Sequence, residues 1–277
     1  MFPVEKMCRA LKVSRGGYYA WRERPPSRRV KENKKLLDVI KKIYEDSEQT
    51  YGSPRITKSL EDKGYTVSRP RVARLMRKHG IAATCKKKFK VTTDSSHNYP
   101  VAPNLLERDF DVESFGEVWV SDITYIYTQK GWLYLTVVID LCNRQVVGWS
   151  MSNSMHASKT TIPALKQAYG LYRPPPGLMF HSDRGIQYAC DNFKELLEKY
   201  QMKQSMSKKG DCWDNAVAES FFSTLKKERV YRETYRTRWQ ARQSIFDYIE
   251  RFYNRVRKHS YVGNKSPVEF LEVKNAA

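Results

Sequence analysis

Three acids sit where ordinary surface charges do not. Asp122 interrupts the apolar and aromatic run VWVSDITYIYT, Asp183 closes the apolar run GLMF within HSDRG, and Glu219 lies in DNAVAESFFSTLKKE. A carboxylate inside an apolar strand is costly unless something pairs with it. If the strand around Asp122 neighbours the one ending at Asp183, the two carboxylates stand side by side and repel unless a positive charge lies between them. A hard divalent cation with oxygen ligands meets that need, and so does a Lys or Arg in an ordinary ion-pair network. A third ligand has to come from a helix. In AVAESFFSTLKKERV, Ala218, Phe222 and Leu225 form a packed face, and Glu219 lies at its border, about 100° from Ala218 and about 60° from Phe222. Lys226, seven residues on, is almost in line with Glu219, where it can grip a phosphate.

The elements that must position these residues follow from periodicity. VWVSDITYIYT, LYLTVVIDL and QVVGWSM read as a three-stranded antiparallel meander, with turns at Lys130-Gly131 and Cys142-Asn143. Helices are expected over 158–170, 190–201 and from 216 onward, with short strands at LMF and MKQSMS between them. Three antiparallel strands followed by alternating helices and strands give an α/β fold, and this order resembles the ribonuclease-H-like mixed sheet with flanking helices. Asp214 or Asn215 is expected to cap the Glu219 helix, Asp211 to be a loop acid near the site, and Trp213 to stack a base or cover the core. Asp140 reads as a turn acid, and His181 either orients Asp183 or is a packed histidine.

The charge is uneven. Of 50 Lys and Arg and 30 Asp and Glu, residues 1–91 hold 25 and 9, and residues 92–277 hold 25 and 21. A basic excess confined to one region points to a polyanion partner, with nucleic acid favoured over a merely soluble surface. Within 55–81, two short helices separated by a turn at Gly64-Tyr65 read as a helix-turn-helix. Its second helix is capped by Ser68, buries Val72, Leu75 and Met76, and carries Arg69, Arg71, Arg74, Arg77 and Lys78 without an acid. A further basic cluster, KKKFK, follows at 86–90. The division expected is an all-α DNA-binding region over 1–91, a linker over 92–116, a catalytic core over 117–232 and a helical extension over 233–277 packed on that core. In the extension, Ile245, Ile249, Phe252 and Val256 form an apolar stripe flanked by Arg251, Arg255, Arg257, Lys258 and His259. Ser266-Pro267-Val268-Glu269 reads as a capping box. Five scattered cysteines without a CxxC, no apolar leader and no bilayer-length apolar run favour a reducing, cytoplasmic setting with no membrane partner.

The acids leave 60 residues between Asp122 and Asp183 and 35 between Asp183 and Glu219. That spacing, with the cation seven after the Glu, resembles the catalytic core of retroviral integrases and insertion-sequence transposases. VSDITYI, DLCNRQVVGW, HSDRGIQY, SMSKKGDCWDNAVAESFFSTLKKE and YNRVRKHSYVGNKSPVEF are more narrowly similar to the second-reading-frame transposases of the insertion-sequence family numbered three. YGSPRITKSL and VSRPRVARLMRKHGI resemble the helix-turn-helix that precedes their core. The resemblance implies a polynucleotidyl transferase that cleaves insertion-sequence ends and transfers the freed 3′-OH. It further implies Asp122, Asp183 and Glu219 as catalytic and metal-holding residues, and two Mg²⁺ per site with Mn²⁺ able to substitute. The implied DNA contacts are Lys226, Arg69, Arg71, Arg74, Arg77, Lys78, Asn215, Arg255 and Arg257. Double-stranded DNA (element ends and target), further copies of the chain and a first-frame protein are the partners implied, in a bacterial, nucleoid-associated setting. The zinc-binding His and Cys pairs of retroviral integrases and a sustained heptad repeat are missing, so the chain is expected to correspond to the second frame alone. The alternative is a second-frame accessory or regulatory DNA-binding protein acting with a longer fusion.

Overall fold

The computed structural model describes residues 3–83, 99–208 and 212–276, and it divides into two compact units, Met1–Ala83 and Thr84–Ala277. The KKKFK cluster, Asp211 and the first seven residues of the expected linker lie outside the described residues, as does the Trp213 side chain.

In the first unit, α1 (Val4–Ala10) and α2 (Arg15–Glu23) precede three longer helices, α3 (Arg28–Asp46), α4 (Ser53–Asp62) and α5 (Arg69–Lys78). Leu36, Leu37, Ile40 and Ile43 of α3 bury against Ile56 and Leu60 of α4 and Val72, Leu75 and Met76 of α5. The turn between α4 and α5 needs Gly64, whose φ of 81° is cheap only without a side chain. Ser68 occupies the N-cap position of α5, but its hydroxyl makes no capping bond.

The second unit is built on one sheet, β1 (Val118–Thr128), β2 (Gly131–Asp140), β3 (Val146–Ser152), β4 (Met179–Ser182) and β5 (Lys203–Met206), in the order β3-β2-β1-β4-β5. The meander is antiparallel, and β4 and β5 are parallel to β1. Side chains alternate between faces along each strand. Trp119, Val138 and Phe180 therefore share one face with α6 (Thr161–Tyr172) and α8 (Asp191–Lys199), which follows the single turn α7 (Ile186–Ala189). Gly148 lets β3 approach α6, because a Cβ there would lie 2.4 Å from the Ala164 carbonyl. On the other face, α9 (Ala216–Glu228) and α10 (Arg238–Phe246) pack on β1, with Ala218, Phe222 and Leu225 buried.

A π-helical stretch, Asp247–Tyr253, continues α10 and shifts its apolar stripe. Ile245, Ile249 and Phe252 are buried as the periodicity predicts, but Val256 is exposed. α11 (Pro267–Ala276) begins at the expected capping box, with Ser266 and Glu269 exchanging backbone-to-side-chain bonds, both of 3.2 Å.

Residues 99–116, read as linker, have no regular structure yet are bonded to the sheet unit along their length. Ser205 Oγ accepts from the amides of Leu105 and Leu106, Met206 N donates to Pro103 O, and Gly116 N donates to Asp140. With no repeating spacing, such a strap leaves no periodic trace in the sequence.

Candidate active site

β1 and β4 run parallel with Ser121 opposite Ser182, so one further step along both chains brings Asp122 beside Asp183. These are the third and fourth of five strands, so the acids stand where a short central strand ends, not at a lateral sheet edge. By alternation Asp122 shares its face with buried Val120 and Ile126, the face that α9 covers. On the opposite face Ser121 fixes the floor, donating to Val137 O at 2.7 Å and lying 2.9 Å from the Tyr188 hydroxyl. Asp183 Oδ1 accepts from Gly185 N at 3.0 Å.

The electrostatics tie these residues together. Part of Asp122 meets solvent, but the protein around its carboxyl, and next the neighbouring Asp183, raise its pKa well above the usual carboxylate range. Glu219 raises it further and Lys226 opposes the rise, so Asp122 lies within the field of the other three. Glu219 stands at the exposed rim of α9, and loss of water around its carboxyl raises its own pKa. Burial lowers the Lys226 pKa and Asp122 works against that shift. Lys226 thus lies within the field of Asp122. Among the described residues no three His, Cys, Asp or Glu side chains converge closely enough to hold a metal ion. The donor chemistry still fits a hard divalent cation: two oxygen donors whose mutual repulsion a cation relieves, with a third on the adjoining helix.

Four expectations change. Asp214 does not cap α9; it is buried and accepts from Asn104 at 3.0 Å, Arg108 at 3.0 Å and Lys208 N at 2.7 Å, anchoring the strap. Asn215, expected at DNA, is buried at the N-cap position, with Nδ2 donating to Ser121 O at 3.1 Å and Oδ1 unpartnered among the described residues. It pins the start of α9 to the strand beside Asp122. Arg257, also expected at DNA, is buried and grips Glu228 through Nε at 2.8 Å and Nη2 at 2.9 Å. Tyr248 donates to the same carboxylate at 2.8 Å. Arg71 is half-buried and held by Asn33 Oδ1 at 3.0 and 2.8 Å, so α3 occupies it. Arg69, Arg74, Arg77, Lys78 and Arg255 are exposed.

Two residues take the plainer of their readings. His181 packs between Ser205 Oγ at 2.8 Å and Ser207 Oγ at 3.2 Å, and burial lowers its pKa to about 4. Asp140 accepts from Gly116 N at 2.8 Å, Cys142 N at 2.9 Å and the Trp119 indole at 3.1 Å, and burial raises its pKa to about 6.

A mixed five-stranded sheet with helices on both faces and an acid pair where its central strands part is the architecture of an integrase-type core. The family description "Integrase core domain" matches residues 113–212 and again 200–267, and "HTH-like domain" matches 31–89. The transposase InsF of insertion sequence IS3A from Escherichia coli K12 is 41% identical over 100% of this chain and 96% of its own length. A 31 kDa protein of insertion element IS600 from Shigella sonnei is 42% identical, over 96% of this chain and 97% of its own. Among solved structures, a chain of the simian T-cell lymphotropic virus intasome aligns with a TM-score of 0.46 and 13% identity, covering 78% of this chain and 69% of that one. The chain belongs to the family of IS3 transposases with an integrase core.

Proposed function

We propose that the chain cleaves DNA at insertion-sequence ends in a metal-dependent reaction and joins the freed 3′-OH to a second phosphodiester, with Asp122, Asp183 and Glu219 as its catalytic carboxylates. The observation that carries this reading is the parallel register that sets Asp122 beside Asp183, with Glu219 and Lys226 of the adjoining helix acting on Asp122, all brought together from segments far apart in sequence. Asp122 and Asp183 would hold Mg²⁺, two ions per site once Glu219 joins them, and Mn²⁺ with the same oxygen preference would substitute. When bound, the metal supplies Lewis-acid polarisation of the phosphoryl oxygens and lowers the pKa of water.

The chain's own residues do the rest. Gly185 N–H orients Asp183, and Asn215 holds the start of α9 against β1, which fixes where Glu219 stands. Lys226 places a positive charge beside Asp122 where the scissile phosphate approaches, offsetting the repulsion between substrate and carboxylates. The buried Ser121–Tyr188 floor closes the site from beneath. The exposed cations of α5 supply duplex contacts, in keeping with the match to an HTH-like domain, and further copies of the chain bring element ends together.

The test uses purified protein, Mg²⁺ and labelled element-end duplex. Asp122→Asn and Glu219→Gln are each expected to lower cleavage and joining by ~1,000-fold or more while duplex binding stays the same. Wild-type rates in either variant, with binding unchanged, would remove that residue from the mechanism.

A further inference from the structure

We infer that the start of α10 and the segment leading into it form a second DNA-binding site, an open cleft that takes an unpaired nucleotide. The cleft has a volume of about 430 Å³, and its lining includes Glu233, Tyr235, Arg236, Trp239, Gln240 and Gln243. That volume lies within the roughly 300–1,000 Å³ range of small-ligand sites. Local bonds hold the lining in place. Thr237 Oγ1 accepts from Gln240 N at 3.2 Å, while Gln240 Oε1 accepts from Arg236 N at 2.9 Å and Thr237 N at 3.3 Å. This capping box fixes the chain's entry into α10. Gln129 N of the β1–β2 turn donates to Tyr235 O at 3.0 Å, and the buried Tyr235 places its hydroxyl 3.1 Å from Ser244 Oγ.

Three side chains of the lining stay at the surface. Trp239 is 68% exposed. Gln243, four residues on and therefore on the same strip of the helix, is exposed as well. Arg236 is exposed and has no ion pair among the described residues. The setting is cationic, since residues 229–242 hold five Arg and one Glu. That Glu, Glu233, is engaged by Arg229 Nη1 at 3.5 Å and by Ser244 Oγ at 3.1 Å. The acids on either side, Glu228 and Asp247, are paired with Arg257 and Arg251. On the neighbouring strip of α10 the pKa of Arg242 is lowered by burial and then by Arg238, so like charges stand within each other's field there.

A flat ring, an amide that both donates and accepts, and a guanidinium match the three parts of a nucleotide. The base stacks on Trp239, its edge meets Gln243 and its phosphate meets Arg236. A duplex keeps its bases stacked on one another, so it would engage Arg236 and leave the indole and the amide idle. A partner helix needs a row of apolar contacts, and Trp239 is the one exposed apolar side chain lining the cleft. A second copy docking about a two-fold axis at the cleft would set Arg236 against its own counterpart, a like-charge contact. The site does not rest on the chemistry proposed for the carboxylates.

The experiment uses the full chain, with affinities measured for oligo-dT and for blunt duplex. Trp239→Ala is expected to weaken oligo-dT binding by about tenfold, Trp239→Phe, which keeps a ring, to stay within about threefold, and duplex affinity to hold in both. Arg236→Ala should weaken oligo-dT binding and lower its salt slope by about 0.7. Oligo-dT bearing 5-iodouracil, cross-linked by ultraviolet light and mapped by mass spectrometry, should mark Trp239. Mapping is repeated in the Asp122→Asn chain, so the outcome does not depend on whether that carboxylate is catalytic. Unchanged oligo-dT affinity in both Ala variants, an equal loss for duplex in Trp239→Ala, or cross-links confined to the N-terminal unit would overturn the inference. A lower sedimenting mass in Trp239→Ala would overturn it too, by showing that a second copy covers the indole.

Discussion

The two units of the chain use charge in opposite ways. On α5, Arg69, Arg74, Arg77 and Lys78 stand in water with no salt bridge among the described residues, and only Arg71 is committed, to α3. In the sheet unit, charged residues are drawn inside. Glu228 and Arg257 close on each other, Asp214 holds the strap, Asp140 gathers three donors, and Asp122 sits beside Asp183. A small helical unit buries narrow apolar stripes and leaves its polar faces wet. A sheet covered on both faces has little outside to offer its central strands, so polar residues there must find partners or a job. Counting arginines therefore finds an exposed basic face on the first unit and misleads on the second.

Variants can break this contrast at several strengths. Arg257→Ala leaves the largely buried Glu228 carboxylate without its cation and should destabilise the sheet unit by about 3 kcal/mol in urea unfolding, with the salt dependence of duplex binding unchanged. A fall in that salt slope by about one would restore Arg257 as a phosphate contact. Asp140 comes next. Its folded pKa of about 6 lies above the ordinary aspartate value of 3.8, so the native state holds the extra proton between those values and stability falls as pH rises through that window. The loss amounts to about 3 kcal/mol, and Asp140→Asn should flatten it in urea titrations at pH 4 and 7. A slope that persists in the variant would place its origin elsewhere. Smallest in stability is Arg74→Ala, expected within about 0.5 kcal/mol of wild type while duplex affinity drops and its salt slope decreases by about one. Unchanged duplex binding would take α5 out of the DNA interface.

Much of the sheet unit is legible locally. The meander, the turn glycine at 131 and the alternation of strand and helix follow from period-two and 3.6-residue patterns, and Asp122 and Asp183 stand out because each breaks an apolar strand. Asn215 and Asp214 are harder. Both sit at a helix start, where capping is the cheapest reading, yet their bonds run to Ser121 and to Asn104 and Arg108, about a hundred residues away. The strap over 99–116 is illegible for the same reason, since its partners are β5 and the end of β2 rather than neighbours in sequence. Val256 was lost to the π-helical stretch, which changes the helical period where the sequence keeps its spacing.

By itself, the sequence determined the element types, the two-part organisation of charge and the presence of three acids at family-specific intervals, because those depend on side-chain period and composition alone. The tertiary structure decided which polar groups face water. The parallel register of β1 and β4 joined Asp122 to Asp183, α9 brought Glu219 and Lys226 over them, and Glu228 withdrew Arg257 from the surface. Register and helix docking are set by burial summed over a whole sheet, and no window of sequence contains that sum.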